Sequence, residues 1–210
     1  MNVLLNYNKI LSRIQSISCK TNLIVVCKNQ ELKNIDPLIS TGHLHFGENR
    51  VQEALSKWQF LLQKNPHLNL HLIGKLQTNK AREAFKIFNY IHTLDNEKLA
   101  NSLAKIESSC EKKVKYLIQV NIGNEPQKSG IEINKTNDFI KYCIHDLKLN
   151  VIGLMCIPPA KSDPDQYFIN LANLAKLNNL NELSMGMSND YECAIKNGAS
   201  HIRIGSSIFC

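Results

Sequence analysis

The chain has 210 residues, 43% of them hydrophobic, and carries a formal net charge of +7 at pH 7. This length accommodates one domain with a sizeable core, but not a barrel together with a second catalytic domain. No apolar stretch approaches the roughly 20 residues of a membrane-spanning helix, and the start lacks the features of a secretory signal, so we expect a soluble, cytoplasmic protein with no membrane partner.

The positive charge favours a lysine-rich surface over a nucleic-acid site. The densest cluster, Lys112, Lys113 and Lys115, precedes an apolar run without the interleaved aromatic residues that stack on bases. The seven cysteines are dispersed, with no Cys-x-x-Cys pair and no nearby histidine at metal spacing. We therefore predict no nucleic-acid partner, no disulfide and no metal site.

Strand-like and helical patterns alternate along the chain. An amphipathic helix leads, with apolar residues at helical spacing from Tyr7 to Ile17. Eight strand-like runs follow, at residues 23–27, 44–46, 70–73, 90–93, 114–121, 151–157, 183–185 and 201–204. Between them lie helical patterns, one opened by an Asp163-Pro164 N-cap and one ended by Gly198.

Eight such alternations in a short chain predict parallel βα units. Closure into a barrel leaves no exposed edge strand, so the predicted fold is α/β, a single (β/α)8 TIM-type barrel with an N-terminal lead-in helix. A doubly wound open sheet is the alternative. No repeat, linker or composition shift marks a second domain, so residues 1–210 are predicted to form one domain.

Lys28 follows the first strand-like run, Leu23 to Cys27, which has no polar alternation and is typical of a strand buried on both faces. Barrels place their chemistry at the carboxyl ends of strands. A partly desolvated lysine there can act as a nucleophilic amine toward a carbonyl group. A lysine that simply reaches solvent is the alternative.

Glycine and serine follow the last two strands, as Gly186-Met187-Ser188 and Gly205-Ser206-Ser207. Glycine lets backbone N–H groups approach a ligand, serine adds hydroxyl donors, and these two loops are the favoured phosphate site of a barrel. Ordinary turns have the same composition. An amine that faces such a phosphate site would suit a phosphorylated aldehyde.

Several motifs, in order along the chain, resemble the pyridoxal phosphate homeostasis family, single-domain proteins whose barrel is shared with the N-terminal domain of bacterial alanine racemases. The matching segments run from about residue 23 to about residue 209. They are Val26-Cys27-Lys28, His45-Phe46-Gly47-Glu48-Asn49, His71-Leu72-Ile73-Gly74, His92-Thr93-Leu94-Asp95, Gln119-Val120-Asn121, Lys128-Ser129-Gly130, Gly153-Leu154-Met155, residues 183–188 and residues 202–205.

The resemblance implies a site for pyridoxal 5'-phosphate (PLP). It implies that Lys28 holds the cofactor as a Schiff base, that Arg203 faces the pyridine nitrogen, and that the phosphate lies on Ser188, Gly205 and Ser206. It also implies that Asn49, Met155 and Met187 line the cofactor. Each residue has an ordinary alternative: an ion pair for Arg203, packing for the methionines, and helix capping for Asn49.

The expected role is PLP homeostasis without strong turnover. An arginine beside the pyridine nitrogen disfavours the protonated ring that stabilises carbanions best, and no added domain supplies a second base. A racemase-like PLP enzyme is the alternative. We expect a monomer that meets apo PLP enzymes transiently, if at all, and no catalytic residue in the enzymatic sense. Glu48 is of a residue type that serves as a general base and His45 and His71 of a type that serves as proton shuttles, but no second titratable partner is fixed by spacing, and the two histidines are interpreted as structural hydrogen-bonding residues.

Two departures from the family pattern stand out. Cys27 and Asn29 flank Lys28 where serine and threonine are usual, so hydrogen bonds near the amine should differ. The sequence ends at Cys210, so we expect the final barrel helix to be nearly absent, the leading helix to cover the gap, and the last strand and its phosphate loop to be looser.

Overall fold

Eight parallel strands form a closed barrel in which each strand pairs with the next and β8 pairs with β1. The structure, a computed structural model, describes residues 2–160 and 162–210. The strands are β1 (Asn22–Val26), β2 (His45–Glu48), β3 (Asn69–Leu72), β4 (Tyr90–Leu94), β5 (Lys115–Gln119), β6 (Val151–Met155), β7 (Glu182–Ser184) and β8 (His201–Ile204).

Helices surround the barrel, and one precedes the first strand. They are α1 (Val3–Ile17), α2 (Leu32–Ser40), α3 (Val51–Lys64), α4 (Ala81–Ile87), α5 (Glu97–Glu107), α6 (Ile133–Lys141), α7 (Asp165–Leu177), α8 (Tyr191–Lys196) and α9 (Ser206–Phe209), with a 3₁₀ turn at Thr78–Lys80 and a π-helical turn at Tyr142–Asp146. The predicted (β/α)8 barrel with a lead-in helix is confirmed. No helix within the described ranges is long and apolar enough to cross a lipid bilayer.

Some element boundaries differ from the sequence prediction for identifiable reasons. β2 continues past Phe46 because Gly47 and Glu48 pair with His71 and Leu72 of β3. β6 ends at Met155, two residues before the predicted end, and Pro158 and Pro159 follow shortly after, where no N–H is available for a ladder. α7 begins at Asp165, one residue after the proline predicted to lie in its first turn.

The main apolar core lies between the strands and the helices. Phe46 on β2 packs against Trp58 on α3 with ring centroids 5.0 Å apart, and both side chains are fully buried. Residues one position away on the same strands point into the barrel, because successive strand side chains alternate between faces. A small apolar cluster of Tyr90, Leu117 and Met155 lies apart from the main core.

The inside of the barrel is instead rich in polar side chains. His45, His71, His92, His201 and Tyr90 converge, with ring centroids between 4.1 and 6.4 Å apart. Burial lowers the pKa of His43 and of His45 to about 4 and holds the pKa of His71 and His92 well below the ordinary value. These histidines are therefore neutral in the folded protein near pH 7.

The leading helix α1 packs against α8 and α9 at the junction where the barrel closes. The Asn6 amide donates to the Ile208 carbonyl at 3.2 Å, and the Tyr7 hydroxyl contacts His43 Nδ1 at 3.1 Å. The last helix is a single turn of four residues. As expected, α1 covers the region beside this short helix, where it contacts α8 and α9 directly.

The α1 packing predicts unequal effects of two truncations on the same helix. Ile14 is 1% exposed and Leu5 is 50% exposed. We expect Ile14→Ala to lower the free energy of unfolding by about 2–5 kcal/mol because it opens a cavity, and Leu5→Ala to change it by less than about 0.5 kcal/mol. Urea unfolding of the two variants measures this, and equal losses would contradict the packing.

The neutral buried histidines predict that stability falls on acidification. Between about pH 6.5 and pH 4 the unfolded chain protonates its histidines while folded His43 and His45 stay neutral, so the unfolded state binds more protons and is favoured as pH falls. His45→Gln should reduce this slope by up to about 1.4 kcal/mol per pH unit. Urea unfolding from pH 7.5 to pH 4.5 measures the slope. The control His145→Gln, at an exposed position, should leave it unchanged, and parallel profiles for all three proteins would contradict the prediction.

Candidate functional site

A cavity of about 560 Å³ opens at the carboxyl ends of the strands. This volume lies within the range of small-molecule sites. All of the site residues singled out from the sequence line it except Met155: Lys28, Asn49, Met187, Ser188, Arg203, Gly205 and Ser206. Met155 is fully buried among Tyr90 and Leu117 inside the barrel, as the packing alternative expects.

The loop after β6 forms a wall of the cavity that the sequence analysis missed. Ile157, Pro158, Pro159 and Ala160 line the cavity together with Ser162 and Pro164. A strand end followed by two prolines was the available signal, because prolines stiffen a loop that follows a strand. Asp190, at the start of α8, is a further lining residue that the sequence analysis did not select.

Lys28 lies two residues after the end of β1 and is exposed, rather than partly desolvated as expected. The backbone on either side of it is tied to α3. The N–H of Asn29 donates to Glu53 Oε1 at 2.6 Å, and Lys57 Nζ donates to the carbonyl of Cys27 at 2.8 Å. These bonds fix the main chain that carries Lys28, although the Lys28 side chain itself reaches the open cavity.

The conformation of Asn29 explains one departure from the family pattern. Its φ is +58°, in the left-handed region that asparagine tolerates better than a β-branched residue. Cys27 points away from the cavity and is fully buried in the main core. The two unusual neighbours of Lys28 therefore serve the backbone turn and the packing beneath it.

An ion-pair cluster beneath Lys28 supports this turn. Lys57 Nζ lies 2.8 Å from Glu48 Oε1 and 3.1 Å from Glu53 Oε1, and its side chain is only 10% exposed. Trp58 Nε1 also donates to Glu48 Oε1 at 2.8 Å. Glu48 thus holds α3 against the end of β2 through these hydrogen bonds, and it does not line the cavity.

The loops after β7 and β8 meet through their serines. Ser188 Oγ lies 3.0 Å from Ser206 Oγ, so the two hydroxyls form one polar cup. A side chain at Gly205 would place its Cβ 2.9 Å from the Val26 carbonyl, so only glycine lets this loop approach β1. Asp190 Oδ1 accepts from the Met187 N–H at 2.6 Å and shapes the other loop. The cup offers hydroxyl donors suited to an anion.

Arg203 places a buried guanidinium at the base of the cavity, where the side chain is 5% exposed. Its Nη1 donates to Ser184 Oγ at 2.6 Å and its Nη2 donates to the Cys156 carbonyl at 3.0 Å. Burial lowers its pKa, which attraction to Asp190 opposes. Among the described residues no carboxylate lies within ion-pair distance of Arg203, so the ion-pair alternative was wrong.

The capping alternative for Asn49 was wrong as well. Arg50 precedes α3, and no side chain caps the first turn. Asn49 is half-buried and lines the cavity. Met187, 38% exposed, lies at the rim. An exposed amine, a hydroxyl cup and a buried cation therefore converge on one cavity, which suits a small anionic ligand with a group that reacts with amines.

Comparisons with known proteins identify the family of the chain. Residues 4–210 match the family model for the alanine racemase N-terminal domain. Pyridoxal phosphate homeostasis proteins of Pasteurella multocida and Aquifex aeolicus are 36% and 34% identical to the chain, over 89% and 100% of it and over 84% and 98% of their own lengths.

Two solved structures show the fold and its relationships. The Synechococcus elongatus protein PipY with PLP bound is 32% identical, with a TM-score of 0.87, over 98% of this chain and 100% of that chain. An alanine racemase of Clostridium difficile, 14% identical with a TM-score of 0.75, shares the fold over 99% of this chain and 56% of that chain. The chain belongs to the pyridoxal phosphate homeostasis protein family, within the wider family of alanine racemase N-terminal domains.

Proposed function

We propose that the protein binds PLP at the cavity through Lys28 and serves PLP homeostasis without strong catalytic turnover. The observation that carries the proposal is the convergence of Lys28, the Ser188–Ser206 cup and Arg203 on one cavity. The PLP-bound PipY structure, with the same fold at 32% identity, supports the choice of ligand.

The residues present fit the chemical groups of PLP. Ser188, Ser206 and the backbone at Gly205 would hold the phosphate, because the two hydroxyls lie side by side and the Gly205 cradle has no room for a Cβ. Arg203 would donate to the pyridine nitrogen, and Asn49 and Met187 would line the ring. Met155 is fully buried and does not line the cavity, so any contribution from it would be through packing.

The surroundings of Arg203 argue against strong turnover. When bound, PLP supplies an aldehyde that condenses with amines and a ring that withdraws electrons most strongly when its nitrogen is protonated. Arg203 can only donate a hydrogen bond, and its charge disfavours a proton on a neighbouring nitrogen. A carboxylate beside the pyridine nitrogen would instead favour the protonated ring. The residue proposed for that position is Arg203, which also donates to a hydroxyl and a carbonyl.

The cavity wall also offers few groups that could move a proton. Its described lining includes no histidine, tyrosine or cysteine, and its one carboxylate, Asp190, accepts the Met187 N–H. A racemase needs acid–base groups on both faces of the substrate carbon. Lys28 alone would supply one face. This composition suits a protein that holds and releases a reactive aldehyde.

Every residue of the proposed site comes from one chain, so we infer that a monomer is sufficient for binding. Transient contact with apo PLP enzymes would complete a role in delivery, and the open mouth of the cavity with its exposed Lys28 is compatible with exchange of the cofactor. Such a role is expected in the cytoplasm.

Attachment of PLP to Lys28 is testable by reductive trapping. After PLP addition and borohydride treatment, we expect a stable adduct on the peptide that carries Lys28 and a near-visible absorbance change before reduction. Lys28→Ala should abolish both. Lys75→Ala is the matched control, because Lys75 is also exposed after a strand at the same end of the barrel but does not line the cavity. An adduct on other lysines with none on Lys28 would overturn the proposed site.

The absence of strong turnover is tested separately by exchange of the α-proton of amino acids in heavy water. The loaded protein should exchange alanine and other amino acids at rates far below those of an enzyme, because the cavity lacks a second acid–base group. Proton nuclear magnetic resonance measures the exchange. Rapid exchange that Lys28→Ala abolishes would favour the racemase-like alternative and leave the binding site itself intact.

A further inference from the structure

A continuous chain of hydrogen bonds crosses the inside of the barrel and ends at Arg203. His45 Nδ1 lies 3.0 Å from His71 Nε2, His71 Nδ1 lies 2.9 Å from His92 Nε2, and His92 Nδ1 lies 2.8 Å from Ser184 Oγ. Ser184 Oγ in turn accepts from Arg203 at 2.6 Å. We call these five residues the histidine column; the column joins β2, β3, β4, β7 and β8.

Burial isolates the inner members of the column from solvent. His71, His92 and Ser184 have no exposed surface, and Arg203 is 5% exposed. His45, at the far end from the cavity, is half-buried. Each inner member therefore depends on its neighbours in the column for hydrogen bonds, because a buried polar group left unpaired is destabilising.

The chemistry of arginine sets the direction of the chain. A guanidinium has no acceptor, so Ser184 Oγ accepts from Arg203 and retains one hydrogen to donate. Of the contacts described for this hydroxyl, His92 Nδ1 is the only other partner. If the hydroxyl donates to it, His92 carries its proton on Nε2 and donates to His71, and His71 donates to His45 in the same way.

The reverse direction is disfavoured for two reasons. A His92 that donated from Nδ1 would leave the buried Ser184 hydroxyl hydrogen without an acceptor among its described contacts. It would also turn the positive ends of all the imidazole N–H dipoles toward the guanidinium. In the forward direction the lone-pair ends face Arg203, so the column stabilises a buried cation where a carboxylate is usual.

The direction also excludes proton conduction to the cavity. Transfer along the column toward Arg203 would have to end with a proton on a guanidinium that already carries its full complement. A relay therefore has no terminal acceptor. What remains for the column is to hold the guanidinium in one orientation and to keep it charged.

We propose that His45, His71, His92 and Ser184 are positioning residues whose hydrogen bonds all run away from Arg203, with each histidine neutral and protonated on Nε2. Their function is to fix the Arg203 guanidinium at the base of the cavity. The consequence for PLP rests on the proposed function; the proton positions and the fixed guanidinium do not.

The proton positions are measured on the full-length protein without cofactor. Two-bond proton–nitrogen correlation spectra of ¹⁵N-histidine-labelled protein at pH 7 should show His45, His71 and His92 as pure Nε2–H forms, assigned from single His→Gln variants. Exposed His67 and His145 are expected to show the averaged signals of mobile imidazoles. A column histidine protonated on Nδ1, or on both nitrogens, would overturn the proposal.

The hold on Arg203 is measured through its Nη resonances. A fixed guanidinium gives separate, slowly exchanging Nη signals, and Ser184→Ala should merge them while Ser184→Thr, which keeps the hydroxyl, should retain them. The control His201→Gln removes another buried histidine, whose Nε2 lies 3.1 Å from Glu182 Oε2 outside the column, and it should leave the Arg203 signals separate. Unchanged Arg203 signals in Ser184→Ala would contradict the positioning role.

Binding measurements connect the column to the cofactor. If Lys28 binds PLP, Ser184→Ala should raise the PLP dissociation constant by up to about tenfold, the effect of one lost hydrogen bond. Failure of PLP trapping at Lys28 with intact column signals would refute the proposed function alone. Reversed proton positions with normal trapping would refute only the column. If Ser184→Ala does not fold, the proton positions in the unaltered protein still decide the proposal.

Discussion

A guanidinium that is only 5% exposed has to be stabilised mainly by protein groups, because burial removes most of its contact with solvent. Arg203 meets this requirement with a serine hydroxyl and a backbone carbonyl. The hydroxyl in turn requires His92, and His92 requires His71. These interior polar side chains therefore form one hydrogen-bonded set that begins at the buried cation. The free-energy cost of burying the set is offset only if every side chain in it is hydrogen-bonded.

Stability and chemistry occupy different layers of this protein. The layer between strands and helices carries the large apolar contacts, such as Phe46 against Trp58. The interior carries the polar groups that address the cavity. Lys57 bridges the layers, because it bonds both to the buried Glu48 and to the main chain before Lys28. Helix α3 thereby contributes to the site without lining it.

Much of the fold and of the site could be predicted from the sequence, since hydrophobic runs and strand-end motifs are local signals. The eight strand-like runs, Lys28 and the two Gly-Ser loops depend on nothing beyond their neighbours in sequence. The partners of Arg203 could not be predicted, because Ser184 and His92 are brought together only by closure of the barrel. The same holds for Asn29: its positive φ is visible only once the turn exists. The cofactor-binding roles of all eight site residues predicted from the sequence, Lys28 and Arg203 included, stay predictions.

The polar interior has a consequence for how the chain finds its fold. Because side chains alternate along a strand, a shift of one strand by one residue would send its histidine outward into the apolar helix layer and bring a leucine or isoleucine inward. For β3 that exchange involves His71 and Leu72, both fully buried in the folded protein. In such a slipped sheet an imidazole would lie among aliphatic groups, and the chain of hydrogen bonds would be broken. The same side chains that serve the cavity thus penalise wrong alignments of the strands, and they select one closed arrangement among those that hydrophobicity alone would allow.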